Sequence, residues 1–88
     1  MSCFHFIITT PAGNVFDDSV EGLLLRSCDG DIAVSSGYIP FATSVQAGMC
    51  RIWLKDGSKK KGEITEGLLS SSKETVVLSV GNCNLLEE

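Results

Sequence analysis

An all-β domain, closing as a sandwich or a barrel, is the fold class that this sequence predicts, and three observations predict it. Apolar residues recur at every second position through nearly every segment, while the spacing of an amphipathic helix is almost absent. Turn residues interrupt the chain about every 8–12 positions. Asp-Gly pairs stand at 29–30 and 56–57, between strand-like runs, which is a short-range hairpin signal.

Taken in order, Phe4, Phe6 and Ile8 share one face of a first strand, because successive side chains alternate across a strand. Thr10-Pro11-Ala12-Gly13 follows, with proline second and glycine fourth, as a type I turn prefers. Residues 20–26, 31–34, 49–54, 60–66 and 75–80 read as short strands. The acids Asp17, Asp18 and Glu21 fall in a turn and a strand start. Lys55-Asp56-Gly57-Ser58 is a hairpin turn, and Ser70-Ser71-Ser72-Lys73 separates Leu68-Leu69 from Val76-Val77-Leu78. The dispersed glycines, Gly62 and Gly67 among them, read as turn and bulge residues. Residues 82–88 finish a last strand or begin a helix.

One stretch breaks the alternation. Tyr38-Ile39-Pro40-Phe41 contains a proline, which cannot donate to a ladder, so this side of the sheet is an edge or a loop. Alternation buries Ile39 and Phe41 and leaves Tyr38 outside. Burial of such side chains stabilises by roughly 1.5–3 kcal/mol each, in the core or against a partner.

Composition narrows the function classes. Eighty-eight residues make one domain, spanning 1–88, and 43% apolar content is enough for a single core. The formal net charge of −4, with only Arg26 against five acids in the first 44 residues, argues against nucleic acid. The basic cluster Lys59-Lys60-Lys61 reads as a solvated hairpin limb or a lysine-guarded edge, with phosphate or headgroup binding as the other use. No apolar run exceeds three residues, against about 20 for a membrane span. A secretory leader, with its basic start and apolar stretch, is not expected. Cys3, Cys28, Cys50 and Cys83 are widely spaced and accompany a single histidine, which argues for free thiols over a zinc site; two disulfides are the alternative.

The sequence offers no catalytic constellation. Cys3 and His5, two apart on one strand, project to the same face, so a thiolate pair is geometrically conceivable; the alternative places His5 on the outer face of a terminal strand. No phosphate-cradling glycine motif occurs, and no cofactor is expected. The weight therefore moves to binding.

The ordered runs Val20-Glu21-Gly22-Leu23-Leu24-Leu25, Asp29-Gly30-Asp31-Ile32-Ala33-Val34 and Gly37-Tyr38-Ile39-Pro40-Phe41-Ala42-Thr43-Ser44-Val45-Gln46-Ala47-Gly48-Met49-Cys50-Arg51-Ile52 carry a resemblance. Together with residues 4–13, 67–69 and 75–78, they resemble the amino-terminal domain of the epsilon subunit of F-type ATP synthase. The resemblance implies a ten-stranded β-sandwich of two packed, mostly antiparallel sheets. It implies a non-catalytic rotor subunit that binds the gamma subunit and the c-ring, coupling proton flow to ATP synthesis. The implied place is the cytoplasmic face of the bacterial plasma membrane, held peripherally through the complex, and the isolated domain is expected to be monomeric or weakly self-associating.

Matched residue by residue, the resemblance puts Asp29, Asp31, Tyr38 and Ile39 toward the c-ring and Phe41 and Thr43 toward gamma. Acids facing a basic loop set register, while an apolar centre supplies affinity. Ser36, Tyr38, Ala47 and Glu66 depart from the family's usual proline, histidine, proline and glycine. The family's carboxy-terminal two-helix hairpin has no counterpart in residues 1–88, so its inhibitory and ATP-binding roles are not carried over. Fold does not fix function, so a free-standing β-sandwich adaptor or ligand-binding module stands as the alternative, with a concave apolar pocket as its mark. A thiol-dependent enzyme using Cys3 and His5 is a third reading.

Overall fold

Nine strands make up the described residues of the computed structural model, which are 3–27, 30–35, 41–72 and 75–87. They are β1 (Phe4–Thr10), β2 (Gly13–Ser27), β3 (Gly30–Ser35), β4 (Phe41–Val45), β5 (Gly48–Leu54), β6 (Lys59–Ile64), β7 (Gly67–Ser72), β8 (Thr75–Val80) and β9 (Cys83–Glu87). No helix occurs among them. The all-β class is as the alternation predicts.

The strand β2 organises the rest. Fifteen residues at about 3.3 Å each would reach roughly 50 Å if straight, yet the longest dimension of the molecule is 31 Å. The strand must therefore bend, and two bulges let it do so. Val15 is left unopposed where Ile8 pairs with Phe16 and Thr9 with Asn14, and Glu21 where Val20 pairs with Leu54 and Gly22 with Trp53. The second bulge shifts the buried positions from Phe16 and Val20 to Leu23 and Leu25, so both halves of the strand keep an apolar face on the core.

The first half of β2 pairs with β1, and the second half lies between β3 and β5. Its last residue, Ser27, pairs with Val45 of β4. The order β1-β8-β7-β4-β2-β5-β6-β9, with β1 also bonded to β2, is one hydrogen-bonded network that closes on itself through β2. Only the β1–β8 pairing is parallel among the described residues. The expectation of ten strands in two packed sheets is not confirmed: the described residues form nine strands in one hydrogen-bonded network, because a single bent strand, β2, joins both halves.

Alternate side chains from all these halves enter one core. Phe6, Ile8, Val20, Cys50, Ile52, Leu69 and Leu78 have no exposed surface, and the rings of Phe6 and Phe16 meet with centroids 5.9 Å apart. Several boundaries differ from the sequence reading. Asp17 and Asp18 lie inside β2 and not in a turn, since cross-strand pairing with Ile7 and Phe6 overrides their turn preference. Lys60 and Lys61 are not on an edge: β6 lies between β5 and β9. Ser70, Ser71 and Ser72 continue β7 beyond the expected break. Residues 83–87 are a strand.

Two of the expected hairpin turns, at 10–13 and 55–58, lie where the sequence places them. Thr10 Oγ1 donates to the Gly13 carbonyl at 2.9 Å and accepts from the Ala12 amide at 3.2 Å, closing the β1–β2 hairpin. At the β5–β6 hairpin the Gly57 amide donates to the Leu54 carbonyl at 3.1 Å, and Gly57 has φ +92°, a conformation that favours glycine.

Candidate partner-binding surface

Of the candidate residues, Asp31 and Thr43 lie near the end of β2. Ser27 pairs with Gly30 at the start of β3 and with Val45 at the end of β4, and the Gln46 amide donates to the Arg26 carbonyl at 2.9 Å. Asp31 and Thr43 are thereby brought to the same end of the sheet. They point differently.

Asp31 faces outward, opposite Arg26 on the neighbouring strand. The guanidinium Nε lies 3.6 Å from the carboxylate, and both side chains are about two-thirds exposed, at 64% and 65%. An ion pair so exposed contributes about 0–1 kcal/mol. It orients the carboxylate without consuming its charge in burial.

Thr43 is half-buried and shares its side of β4 with the buried Val45, opposite the fully buried Leu69. Its hydroxyl lies 3.5 Å from the Ser44 carbonyl, a long contact. Any partner reaching Thr43 meets it at the rim of the core. Phe41 opens β4, paired with Ser71. Asp29, Tyr38 and Ile39 lie outside the described residues.

Sequence reasoning missed what adjoins Asp31. A concavity of about 220 Å³ is lined by Leu24, Leu25, Arg26, Asp31, Gly48, Met49 and Arg51, so two arginines and three apolar residues share one hollow. Only the pairing of β2 with β5 assembles it, from residues about 25 positions apart in the chain. The hollow is smaller than the roughly 300–1,000 Å³ of small-molecule sites. A second, of about 360 Å³, is lined by Asp18, Ser19, Leu54, Lys55 and Asp56, with Leu54 as its one apolar residue. Neither is the concave apolar pocket that marks a ligand-binding module.

The thiol reading finds no geometry. His5 Nε2 meets the Asp17 carboxylate on the outer face, not Cys3, and the thiol makes no hydrogen bond to the imidazole. Cys3, Cys50 and Cys83 are free; Cys28 lies outside the described residues. Burial pushes the Cys50 thiol up to about 12, with the nearby Cys83 adding to the shift, so Cys50 is a core side chain and not a nucleophile. Among the described residues no group of three or more His, Cys, Asp or Glu is placed to hold a metal.

Residues 3–83 match the family described as the ATP synthase delta/epsilon chain, beta-sandwich domain. The chain belongs to that family. It is 31% identical over 77 residues to the sodium-ion-specific ATP synthase epsilon chain of Acetobacterium woodii, covering 86% of this chain and 58% of that protein. It is 33% identical over 73 residues to the ATP synthase epsilon chain of Alkaliphilus oremlandii, covering 83% and 54%. The chain thus spans somewhat over half the length of these delta/epsilon-family relatives.

Solved structures share the fold of this delta/epsilon domain. A chain in the mitochondrial ATP synthase of Euglena gracilis, described with its OSCP, F1 and c-ring, superposes with a TM-score of 0.90 at 14% identity, covering 97% of this chain and 54% of that one. A chain from the central stalk and c-ring of the Tetrahymena thermophila enzyme gives 0.73 at 14% identity, covering 94% and 65%. The β-sandwich description of the family agrees with an all-β chain around one core.

Proposed function

We propose that this domain is the amino-terminal part of a non-catalytic rotor subunit of an F-type ATP synthase, joining the gamma subunit to the c-ring so that ion flow and ATP synthesis stay coupled. The family match across residues 3–83 carries the reading, and the relatives bearing the epsilon-chain name support it. In this reading the long β2 divides the network into two packed layers that move as one body. A rotor piece must transmit torque without shearing, and a network closed through β2 around a single core resists shear.

Asp31, together with Asp29, Tyr38 and Ile39, is proposed to meet the ring loops, and Phe41 and Thr43 to meet gamma. The outward carboxylate of Asp31, exposed and oriented by Arg26, suits long-range attraction to a basic loop. No helix of the described residues is long and apolar enough to cross a membrane. The proposed attachment is peripheral, through these partners, on the cytoplasmic face of the bacterial membrane. Co-purification of the 88-residue chain with tagged gamma and with detergent-solubilised c-ring tests the proposal. Retention by gamma supports it, and a folded chain that neither partner retains refutes it.

A further inference from the structure

Among the described residues β9 pairs only with β6, so its other side is an open strand edge. Which backbone groups face that edge follows from the residue before it. The Thr65 amide donates to the Asn82 carbonyl at 3.2 Å, and the Asn82 amide donates to Thr65 Oγ1 at 3.0 Å, so both groups of Asn82 point to the β6 side. Backbone groups alternate along a strand, so those of Asn84 and Leu86 also point to β6, while those of Cys83, Leu85 and Glu87 point to the open edge. The Cys83 amide is already taken, donating to Asn82 Oδ1 at 2.9 Å. Residues 83–86 include no charge and no proline, and their register with β6 has no bulge, so the usual guards against strand addition are missing here. Cys83 and Leu85 are half-buried against the core, and Leu86, on the other face, is 43% exposed.

We propose that this edge receives a second copy of the same chain, β9 against β9 in antiparallel pairing, with a twofold axis through Leu85. Hydrogen bonding forces the register. In an antiparallel ladder, directly opposed residues turn their backbone groups either both toward each other or both away. An axis between two residues would set Leu85 opposite Asn84 or Leu86, whose groups are spent on β6, and is excluded. An axis through Leu85 engages all of Cys83–Glu87, more of the strand than an axis through any other residue. Each Leu85 amide then donates to the other copy's Leu85 carbonyl, and each Glu87 amide to the other copy's Cys83 carbonyl. Asn84 stands opposite Leu86 and Leu85 opposite its own counterpart, so no like charges are opposed and the half-buried Leu85 gains apolar cover. The strand is thus its own complement, as an isologous contact requires, and this selects a second copy as the occupant. Five residues a side are far fewer than the roughly 20–30 of a standard interface, so the pairing is reversible and depends on concentration. The proposal concerns the free chain and stands or falls separately from the rotor reading, which places its contacts on residues 29–43.

The test is sedimentation equilibrium of the 88-residue chain under reducing conditions, from micromolar to millimolar concentration. A reversible monomer–dimer equilibrium is expected, strengthened by salt because each copy carries a net charge of −4. Asn84→Lys with Leu86→Lys sets lysine opposite lysine across the axis and should weaken association at least tenfold, as should Asn84→Glu with Leu86→Glu. An equimolar mixture of the two variants sets lysine opposite glutamate and should restore the dimer. Leu68→Lys, exposed on β7, should leave association within twofold. Amide exchange of Leu85 should slow as concentration rises, and a thermal melt confirms that each variant folds. A chain that stays monomeric throughout, a lysine pair without effect, an equal effect of Leu68→Lys, or a mixture of folded variants that fails to pair would each overturn the proposal.

Discussion

Gly67 and Ser79 approach so closely across the β7–β8 pair that a Cβ on Gly67 would lie 2.0 Å from the Ser79 carbonyl oxygen. A Val80 methyl would lie 2.8 Å away. The oxygen belongs to a ladder that pairs Gly67 with Val80 and Leu68 with Ser79, so it cannot yield without breaking the ladder. Gly67→Ala is therefore expected to destabilise the domain by about 3 kcal/mol, the upper end of the usual overpacking range. For a chain of this size that lowers Tm by more than about 10 °C. A melt followed by circular dichroism checks it, and a midpoint within 2 °C of the parent contradicts it.

Gly62 makes the opposite case. A Cβ there would lie 2.8 Å from a Leu85 methyl, 3.4 Å from the Asn84 carbonyl and 3.5 Å from Cys83 Sγ. The tightest neighbour is the end of a flexible side chain, which can rotate away. Gly62→Ala should cost no more than about 1 kcal/mol. Urea midpoints of the two variants, measured side by side, should rank Gly67→Ala well below Gly62→Ala.

Alkaline pH should weaken the fold through Cys50. Its thiol has an ordinary value of 9.0, and burial raises it to about 12 in the folded chain, while burial raises Cys83 in the same direction. Between these limits the unfolded chain releases a proton that the folded chain retains, so stability is full below 9.0 and falls as pH rises toward 12. The loss approaches ~1.4 kcal/mol per pH unit for one such group. Cys50→Ala lowers stability at every pH but should flatten this fall. Parallel curves for the two proteins, from urea unfolding at pH 8, 9.5 and 10.5, would contradict the assignment.

Asp56 should titrate low because of its own turn. Its carboxylate accepts from the Ser58 hydroxyl at 2.6 Å and the Ser58 amide at 2.9 Å, and both bonds favour the charged form. A depressed folded value stabilises above the ordinary carboxylate range, and that share is lost as pH falls through it. Ser58→Ala should raise the titration midpoint of Asp56 toward the ordinary range, read by carboxyl carbon NMR. An unchanged midpoint would show that the amide alone sets it.

Strand positions were legible in the sequence wherever local alternation decided them, as at Phe4, Phe6 and Ile8, whose burial follows their spacing. The first half of β2 was not, since Asn14, Asp17, Asp18 and Ser19 have turn chemistry and become strand only through pairing with β1. Gly67 read as a bulge residue, because a close approach of two backbones leaves no mark in either segment alone. Asp31 was found through an ordered resemblance. Its neighbours Met49 and Arg51 were not, because they reach Asp31 only through the pairing of β2 with β5, strands far apart in the chain.

Asp31→Lys separates partner contact from stability. The Arg26–Asp31 pair is 64% and 65% exposed and 3.6 Å long, so replacing attraction by repulsion should change stability by less than about 1 kcal/mol. A carboxylate that steers a basic partner loop behaves otherwise, since charge reversal there slows encounter and leaves like charges facing each other. Asp31→Lys should thus lower affinity for solubilised c-ring at least tenfold, most strongly at low salt, while Tm moves by no more than a few degrees. Arg26→Ala serves as the companion: it releases Asp31 from its pair and should alter c-ring affinity far less. Equal affinities for the parent and Asp31→Lys, with both folded, would remove Asp31 from the proposed contact.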